Sequence, residues 1–405
     1  MRTASRHPHL WSLAIGWLLL APGTLTARWV AQHLERDAVA QGWPLPSDET
    51  NRGLGIQRAG LRRDDVLILF GSSEIARQSA FRAMEFYQTA PTGFRVIGVG
   101  ARGTPLAITA FNLGALGDEL TGRQVAVSVS HTFFHEGVRT DTANDIFLGT
   151  FSLQHASEIA FGNGLEMPLR RRLAARMLQQ GAPLDDERLI RAGLRRLADS
   201  ALVSRLAFAA LRPAGTAQRW LLEVQDHARL LRDLAVARRA PAPAKQRVLI
   251  DWAVLADSAE RLYKASASDN PFGLDDGRSI EYRKAVHDLG GTHTDSAWRR
   301  DVSNAPAWSD LDMLLDILTS VGARPLLLNV PYKGAIEDYA GTSSIGRRIY
   351  YDSLRAKAAR AGVPLRDFAE HEDDRWFTRD HYAHLSPKGW IFYDRALDEF
   401  VQSVQ

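Results

Sequence analysis

The sequence predicts an α/β fold built on a mostly parallel sheet, and three observations carry that reading. Apolar runs at Val66–Phe70, Phe94–Val99 and Gln124–Val129 recur at intervals of roughly thirty residues, with helical patterns between them, which is the rhythm of βαβ units. Each run ends in small and polar residues at the strand edge where open α/β sheets build their sites: Gly71-Ser72-Ser73, Gly100-Ala101-Arg102-Gly103-Thr104-Pro105 and Ser130-His131-Thr132. After a long helical stretch the alternation resumes at Ala323, with a buried strand in Arg324–Pro331 and a short one in Val363–Phe368.

From the N-terminus, Arg2 and Arg6 precede an uncharged run from Leu10 to Ala27, and Arg28 closes it. At about 1.5 Å per residue the run reaches about 27 Å, close to a bilayer core of about 30 Å. It is apolar on all sides, so a buried amphipathic helix is excluded. One reading is a signal anchor over 1–28; the other is a cleaved signal peptide with Leu10–Leu20 as its h-region and Ala21-Pro22-Gly23 at the processing point. The uncharged run continues past that point, which favours the anchor, and both readings export the domain at 61–405. Trp29–Arg58 is polar, carries Pro44 and Pro46, and suits a stalk over 29–60.

Val66–Phe70 reads as a buried parallel strand ending in a tight turn, with a helix from about Ser73. Leu106–Leu116 follows the second strand as a helix. From about 138 to 323 there are helix signals and no convincing strand, too long a stretch for a loop, and therefore a helical insertion placed to cover the crevice or to dock on a membrane partner. Within it, Ile190, Leu194, Leu197 and Ala201 place one helix in Asp185–Leu211, capped by Asp185 and ended by Pro213-Ala214-Gly215. Gln218–Arg239 is a second helix, Ser268–Gly273 a turn-rich loop, and Asp310–Val321 a helix with an apolar stripe of Leu311, Leu314, Leu315 and Leu318. Ile349–Ala361 and Pro387–Val401 are the closing helices.

Composition narrows the function. Hydrophobic residues make up 45% of the chain, enough for a globular core. Fifty Lys and Arg against 47 Asp and Glu leave a net charge of +3, too even to argue for a nucleic-acid partner. The absence of cysteine removes disulfides, thiolate catalysis and Cys-ligated zinc. His131 and His135, with Glu136, have a metal-compatible spacing, but the aromatics between them and the strand just before make it uninformative.

Acyl transfer needs a nucleophile, a base and a group that orients the base. Ser72 and Ser73 stand where a strand gives way to a helix, so one of them is a nucleophile with helix amides beside it, or both merely cap the helix. Asp380-His381-Tyr382-Ala383-His384 precedes the last helix, which Ser386 caps with Pro387 at its first position; an imidazole so held lies near a strand edge. Asn329 ends the fourth strand, as a terminator or a substrate contact.

An early Gly-x-Ser, a glycine-bearing loop after the second strand and a late Asp/His pair resemble an SGNH (GDSL-type) hydrolase. More narrowly, Phe70-Gly71-Ser72-Ser73-Glu74, Ser130-His131-Thr132-Phe133-Phe134, Asn270-Pro271-Phe272-Gly273 and His384-x-x-x-x-Gly389-Trp390 are similar to the DltD family, the membrane-anchored D-alanine transfer proteins of cell-envelope D-alanylation. The resemblance implies an SGNH-like three-layer sandwich with a helical insertion and one transmembrane anchor. It implies Ser73 as nucleophile, His384 as base and Asp380 as acid, with the Ser73 and Gly103 amides as the oxyanion hole. Ser72, Ser130, His131, His381 and Asn329 form a second tier. The family places its Asp three residues before the His, where this chain has His381. Either a one-residue bulge brings Asp380 to His384 or His381 takes the acid's place. The third-block asparagine of SGNH proteins is replaced here by Ser130 or His131.

The activity so implied is serine acyl transfer or thioester cleavage that delivers D-alanine to an envelope polymer, without metal or cofactor. The implied partners are a membrane-bound O-acyltransferase, an acyl (D-alanyl) carrier protein and a glycan or polyol acceptor. The implied location is the cytoplasmic (inner) membrane, single-pass, with the domain on the periplasmic side. O-acetyl transfer or esterase action on an exopolysaccharide is the alternative cargo. A non-catalytic scaffold that recruits the carrier and the acyltransferase is the alternative role, which the Asp380-to-His384 spacing keeps open.

Overall fold

The computed structural model describes residues 8–41, 53–76, 79–134, 149–179, 182–236, 247–267, 270–275, 284 and 286–403; side chains at 8–10, 12–24, 41 and 234–236 lie outside the description. Five strands, β1 (Val66–Phe70), β2 (Arg95–Val99), β3 (Gln124–Ser130), β4 (Arg324–Val330) and β5 (Leu365–Arg366), form one sheet in the order β2-β1-β3-β4-β5, with every pair parallel. The expected α/β architecture with a parallel sheet is therefore present. Phe70 lies level with Val99 on β2 and Val127 on β3, so the turns after these strands emerge on one edge. That edge at β1 and β3 is where the strand order reverses, the position at which doubly wound sheets open a crevice.

Helices cover both faces because the strand residues alternate between two cores. Ile68, Phe70, Val125, Val127 and Leu327 pack on one side with α5 (Leu106–Leu116); Leu67, Leu69, Ala126, Leu326 and Leu328 pack on the other with the C-terminal helix. Before α5 come α1 (Pro8–Gln41), α2 (Leu54–Leu61), α3 (Ser73–Ala76) and α4 (Ala83–Thr89). Between β3 and β4 the described elements are helical: α6 (Leu153–Phe161), α7 (Met167–Leu178), α8 (Arg188–Ala198), α9 (Leu202–Val236), α10 (Trp252–Ser266), α11 (Asp295–Ser303) and α12 (Ala307–Ser320). The chain closes with α13 (Gly334–Ala340), α14 (Ser344–Ala361) and α15 (Pro387–Gln402).

Two expectations are corrected here. The helix expected over Asp185–Leu211 breaks at Asp199, not at Pro213. Asp199 takes an extended conformation, and its carboxylate accepts the Ala201 amide at 2.9 Å and the Ser204 hydroxyl at 2.5 Å, which starts α9. Helix α9 then continues through Pro213. The carbonyl that Pro213 leaves without a donor is that of Ala209, an exposed residue, so water can satisfy it. Gly215 is no stop signal either: a Cβ there would lie 2.3 Å from the Phe161 ring, and one at Gly193 would lie 2.4 Å from it, so both glycines let helices close on Phe161.

The stretch read as a stalk is structured over its described parts. Helix α1 continues to Gln41, and its face of Ala31, Glu35, Ala38 and Val39 is buried, as is most of α2. Among the described residues no helix is long and apolar enough to cross a membrane; the run from Leu10 to Ala27 falls within α1, and its side chains at 12–24 lie outside the description.

Helix α1 is fastened to α9 by charge. Glu35 accepts from His227 Nδ1, His227 Nε2 lies 3.7 Å from Glu223, and Arg28 pairs with Glu223 at 3.0 Å. Burial pulls the His227 imidazole down, but its hydrogen bonds and charges from Glu223 and Glu35 outweigh that and raise it from 6.5 to about 9. A histidine raised on folding stabilises fully below its unfolded value and loses that contribution as pH climbs through the folded one. Thermal melts from pH 6.5 to 10 should therefore show the wild type falling toward His227→Gln by about 3 kcal/mol. A constant difference between the two proteins over that window is the contrary result.

Candidate functional site

Four segments converge at the C-terminal edge of the sheet. The first is the turn after β1. The Gly71 amide donates to Val99 at 3.0 Å, and the Ser72 amide donates to Glu74 Oε1 at 2.8 Å. The Ser72 hydroxyl is buried and directed to the Ala101 carbonyl at 3.4 Å, whereas Ser73 at the start of α3 is only partly buried. The two serines thus differ: Ser72 faces the neighbouring loop, and Ser73 remains accessible. Glu74 is fully enclosed. Burial pushes its carboxyl up, opposed by the Ser72 and Glu74 amides, the Ser128 hydroxyl and the charge of His384.

The second segment is the loop after β2. Gly100 has a φ of 149°, and a Cβ there would sit 1.9 Å from the Gly71 carbonyl oxygen, so only glycine lets this loop approach the serine turn. Ala101 and Thr104 close a turn, with the Thr104 amide on the Ala101 carbonyl at 3.0 Å and the Ala101 amide on Thr104 Oγ1 at 2.8 Å; Gly103 occupies the position needing a positive φ, 74°.

The third is the loop from Thr378 to Leu385. His384 Nδ1 lies 2.7 Å from Asp380 Oδ2, and Asp380 is completely buried. The other oxygen, Oδ1, accepts the Tyr382 amide at 2.9 Å and the His384 amide at 3.3 Å, so the chain wraps around the carboxylate. The Arg379 amide donates to the His384 carbonyl at 2.9 Å and Thr378 bridges to Leu385, closing the loop. Within the loop Ala383 adopts a left-handed φ of 61°. Of the two residues that the spacing left open, Asp380 is the one in contact with His384 Nδ1. The His381 ring lies against that of Tyr382, centroids 3.8 Å apart and planes tilted by 39°, its imidazole lowered by burial against the pull of Asp380. Because Ala383 is strained and buried, Ala383→Val is expected to destabilise by about 2–3 kcal/mol, whereas Ala383→Gly should be neutral or stabilise by up to about 1 kcal/mol. Thermal denaturation of the pair checks this; equal effects of the two changes would contradict it.

The fourth is the Asn270–Gly273 loop. The Asn270 side chain closes it on Leu274, accepting that amide at 2.7 Å and donating to its carbonyl at 2.8 Å. Arg375 donates to the Asn270 carbonyl and Arg379 pairs with Asp275, so this loop braces the segment leading into Asp380. Lys333, just past β4, braces the same segment from beneath: its buried ammonium donates to the Arg375 carbonyl at 2.8 Å and the Thr378 carbonyl at 2.5 Å. Burial draws Lys333 down to about 7, against Asp380 and Asp374. Neither Glu74 nor Lys333 stood out in the sequence as a site residue. The only local signal for Lys333 is a lysine three residues past an apolar strand, in Val330-Pro331-Tyr332-Lys333.

The remaining second-tier residues are built into the scaffold. The Ser130 hydroxyl caps its own turn, 2.7 Å from Thr132 Oγ1. His131 is buried against Tyr332, ring centroids 4.0 Å apart. Asn329 is also buried, donating to the Asp367 carbonyl at 3.0 Å and accepting from Tyr350 at 2.5 Å, which ties β4 to the chain after β5 and to α14. His135 and Glu136 lie outside the described residues.

A carboxylate on one imidazole nitrogen, with that imidazole near enough to Glu74, the neighbour of Ser73, for their charges to act on one another, suits acyl chemistry. Comparison with known proteins places the chain as a whole. A family model described as DltD protein matches residues 46–402. Protein DltD of Bacillus subtilis (strain 168) is 27% identical over 382 residues, covering 94% of this chain and 93% of that protein. Protein DltD of Staphylococcus aureus (strain NCTC 8325 / PS 47) is 21% identical over 396 residues, covering 96% and 95%. With a family match over most of its length and relatives aligned nearly end to end, the chain belongs to the DltD family.

Proposed function

We propose that this protein works in D-alanylation of a cell-envelope polymer, as an SGNH-type serine acyltransferase that carries the acyl group as an ester on Ser73. The observation that supports this most is the contact of Asp380 with His384 Nδ1, which leaves Nε2 to take a proton from a hydroxyl. In the first step Ser73 Oγ bonds to the carbonyl carbon of an activated acyl donor while its proton passes to His384 Nε2. The tetrahedral oxyanion is held by the Ser73 and Gly103 amides, and collapse expels the leaving group, which takes the proton. In the second step an acceptor hydroxyl loses its proton to His384, bonds to the acyl carbon and displaces Ser73, which recovers the proton. Both half-reactions balance without a metal or cofactor.

Glu74, the acid beside Ser73, is buried and engaged with the Ser72 amide, so it offers no evident seat for an alanyl ammonium group. Family membership, rather than pocket charge, supports D-alanine over acetyl as the cargo. The same reading places residues 10–27 across the cytoplasmic membrane with the domain outside, beside a membrane-bound O-acyltransferase supplied by a D-alanyl carrier protein, and a glycan or polyol as acceptor. The test uses membranes containing the complete D-alanylation system, with polymer-bound D-alanine released by mild base and quantified. Ser73→Ala and His384→Ala should both lose the ester; full retention with either variant would favour the scaffold instead.

A further inference from the structure

Glu74 is a buried acid for which the two transfer steps have no task, although it is next in the chain to Ser73. Its side chain folds back beneath the serine turn: Oε1 accepts the Ser72 amide at 2.8 Å, while Oε2 is enclosed and makes no hydrogen bond. Room for this return is left at Gly71, where a Cβ would stand 2.7 Å from Glu74 Oε1. The Ser72 carbonyl in turn accepts the Ile75 and Ala76 amides at 3.2 and 3.1 Å, and the Ser72 hydroxyl points to the Ala101 carbonyl at 3.4 Å. Each polar group of Ser72 is thus engaged, and it is Glu74 that secures the amide. Ser73 stands between the pinned residue and the acid that pins it.

Enclosing a carboxyl costs stability unless its oxygens are bonded, and here one of the two is not. A helix start needs no such group, since a hydroxyl or short carboxyl open to water caps it equally well. The groups facing the carboxyl are the Ser128 hydroxyl of β3, which lies 2.8 Å from the Tyr393 hydroxyl, the Tyr393 and Tyr350 rings of α15 and α14, and His384; no lysine or arginine is among the groups that act most on it. Burial raises Glu74 and so favours its neutral form, whose carbonyl oxygen still accepts an amide. A neutral group this near the Ser73 amide does not repel an oxyanion held there, as a carboxylate would.

We propose that Glu74 is a positioning residue of the acyl site: by holding the Ser72 amide from within the core, it fixes the turn on which Ser73 meets the acyl donor. It acts through the reach of its acceptor oxygen and not through charge. Its effect on rate rests on Ser73 being the nucleophile; its effect on the turn does not. A nucleophile displaced by about 1 Å loses on the order of a hundredfold in rate, so the loss of one buried hydrogen bond at this turn is felt in the chemistry.

Two variants separate reach from charge. Glu74→Gln keeps the length and an acceptor oxygen without the acid, whereas Glu74→Asp keeps the acid but is one methylene too short to hold the Ser72 amide. Full-length wild type and both variants are compared in the rate of fluorophosphonate labelling at Ser73 and in amide hydrogen exchange over residues 71–76, with melting temperatures recorded. Expected for Glu74→Asp are labelling slowed by about a hundredfold and faster exchange of the Ser72 amide, and Glu74→Gln should rescue both to within about threefold of wild type. An aspartate variant that labels and exchanges like wild type overturns the proposal. So does a glutamine variant that falls as far as the aspartate one, which would make the charge the active feature. Wild type that takes no adduct on Ser73 defeats the nucleophile reading instead, and exchange of the Ser72 amide then still decides whether Glu74 holds the turn.

Discussion

Ser73→Ala and His384→Ala are each expected to lower acyl transfer by about a thousandfold or more, and the double variant should be no worse than either single one. Nucleophile and base act on one proton, so once either is gone the other has nothing left to contribute. Asp380→Asn is the more discriminating change. Asp380 Oδ1 already accepts two backbone amides, from Tyr382 and His384, and an asparagine oxygen can keep both. Its amide nitrogen then faces His384 Nδ1, donates where the carboxylate accepted, and forces the proton onto the nitrogen that should take it from Ser73. The fold should survive while the rate falls on the order of ten-thousandfold. Rates of acyl transfer beside melting temperatures check the set; a normal rate for Asp380→Asn would mean that the 2.7 Å contact with His384 is structural only.

Lys333→Met should produce the second large effect, through position rather than chemistry. Lys333 makes no hydrogen bond to Ser73, His384 or Asp380 but feels the Asp380 charge, and its amino group holds the carbonyls of Arg375 and Thr378, two residues before Asp380 at the nearer point. Methionine fills a similar volume but leaves both carbonyls buried without a donor, at a cost of about 3 kcal/mol in total. The segment that leads into Asp380 should then lose its fixed position, and kcat should fall with little change in KM. A Lys333→Met protein that melts lower but turns over normally would confine Lys333 to stability.

The parts of this architecture that were legible are those fixed by local pattern. β1, β3 and β4 are buried on both faces, so they read as largely apolar runs, interrupted only by Ser128 and Asn329 within them, and the turn after β1 is written in glycine and serine. The contact of Asp380 with His384 was within reach because both residues lie in one short loop, which turns back on itself at Ala383. What stayed hidden depends on neighbours far along the chain. Pro213 and Gly215 look like a helix end until Phe161 is seen between Gly193 and Gly215. The polar stretch after Trp29 looks like a free stalk until His227 and Glu223 arrive to pair with Glu35 and Arg28. Lys333 and the Asn270 loop reach the Asp380 segment across many residues, and no spacing rule foretells such contacts.

The central claim is that Ser73 is a nucleophile activated by His384. Reaction of the full-length protein with a serine-directed fluorophosphonate, followed by intact mass and peptide mapping, tests it most directly, with Ser73→Ala and His384→Ala run alongside. One adduct on Ser73 that is missing from both variants is the result predicted here. A folded wild type that takes no adduct, or one that is labelled equally well without His384, would contradict it.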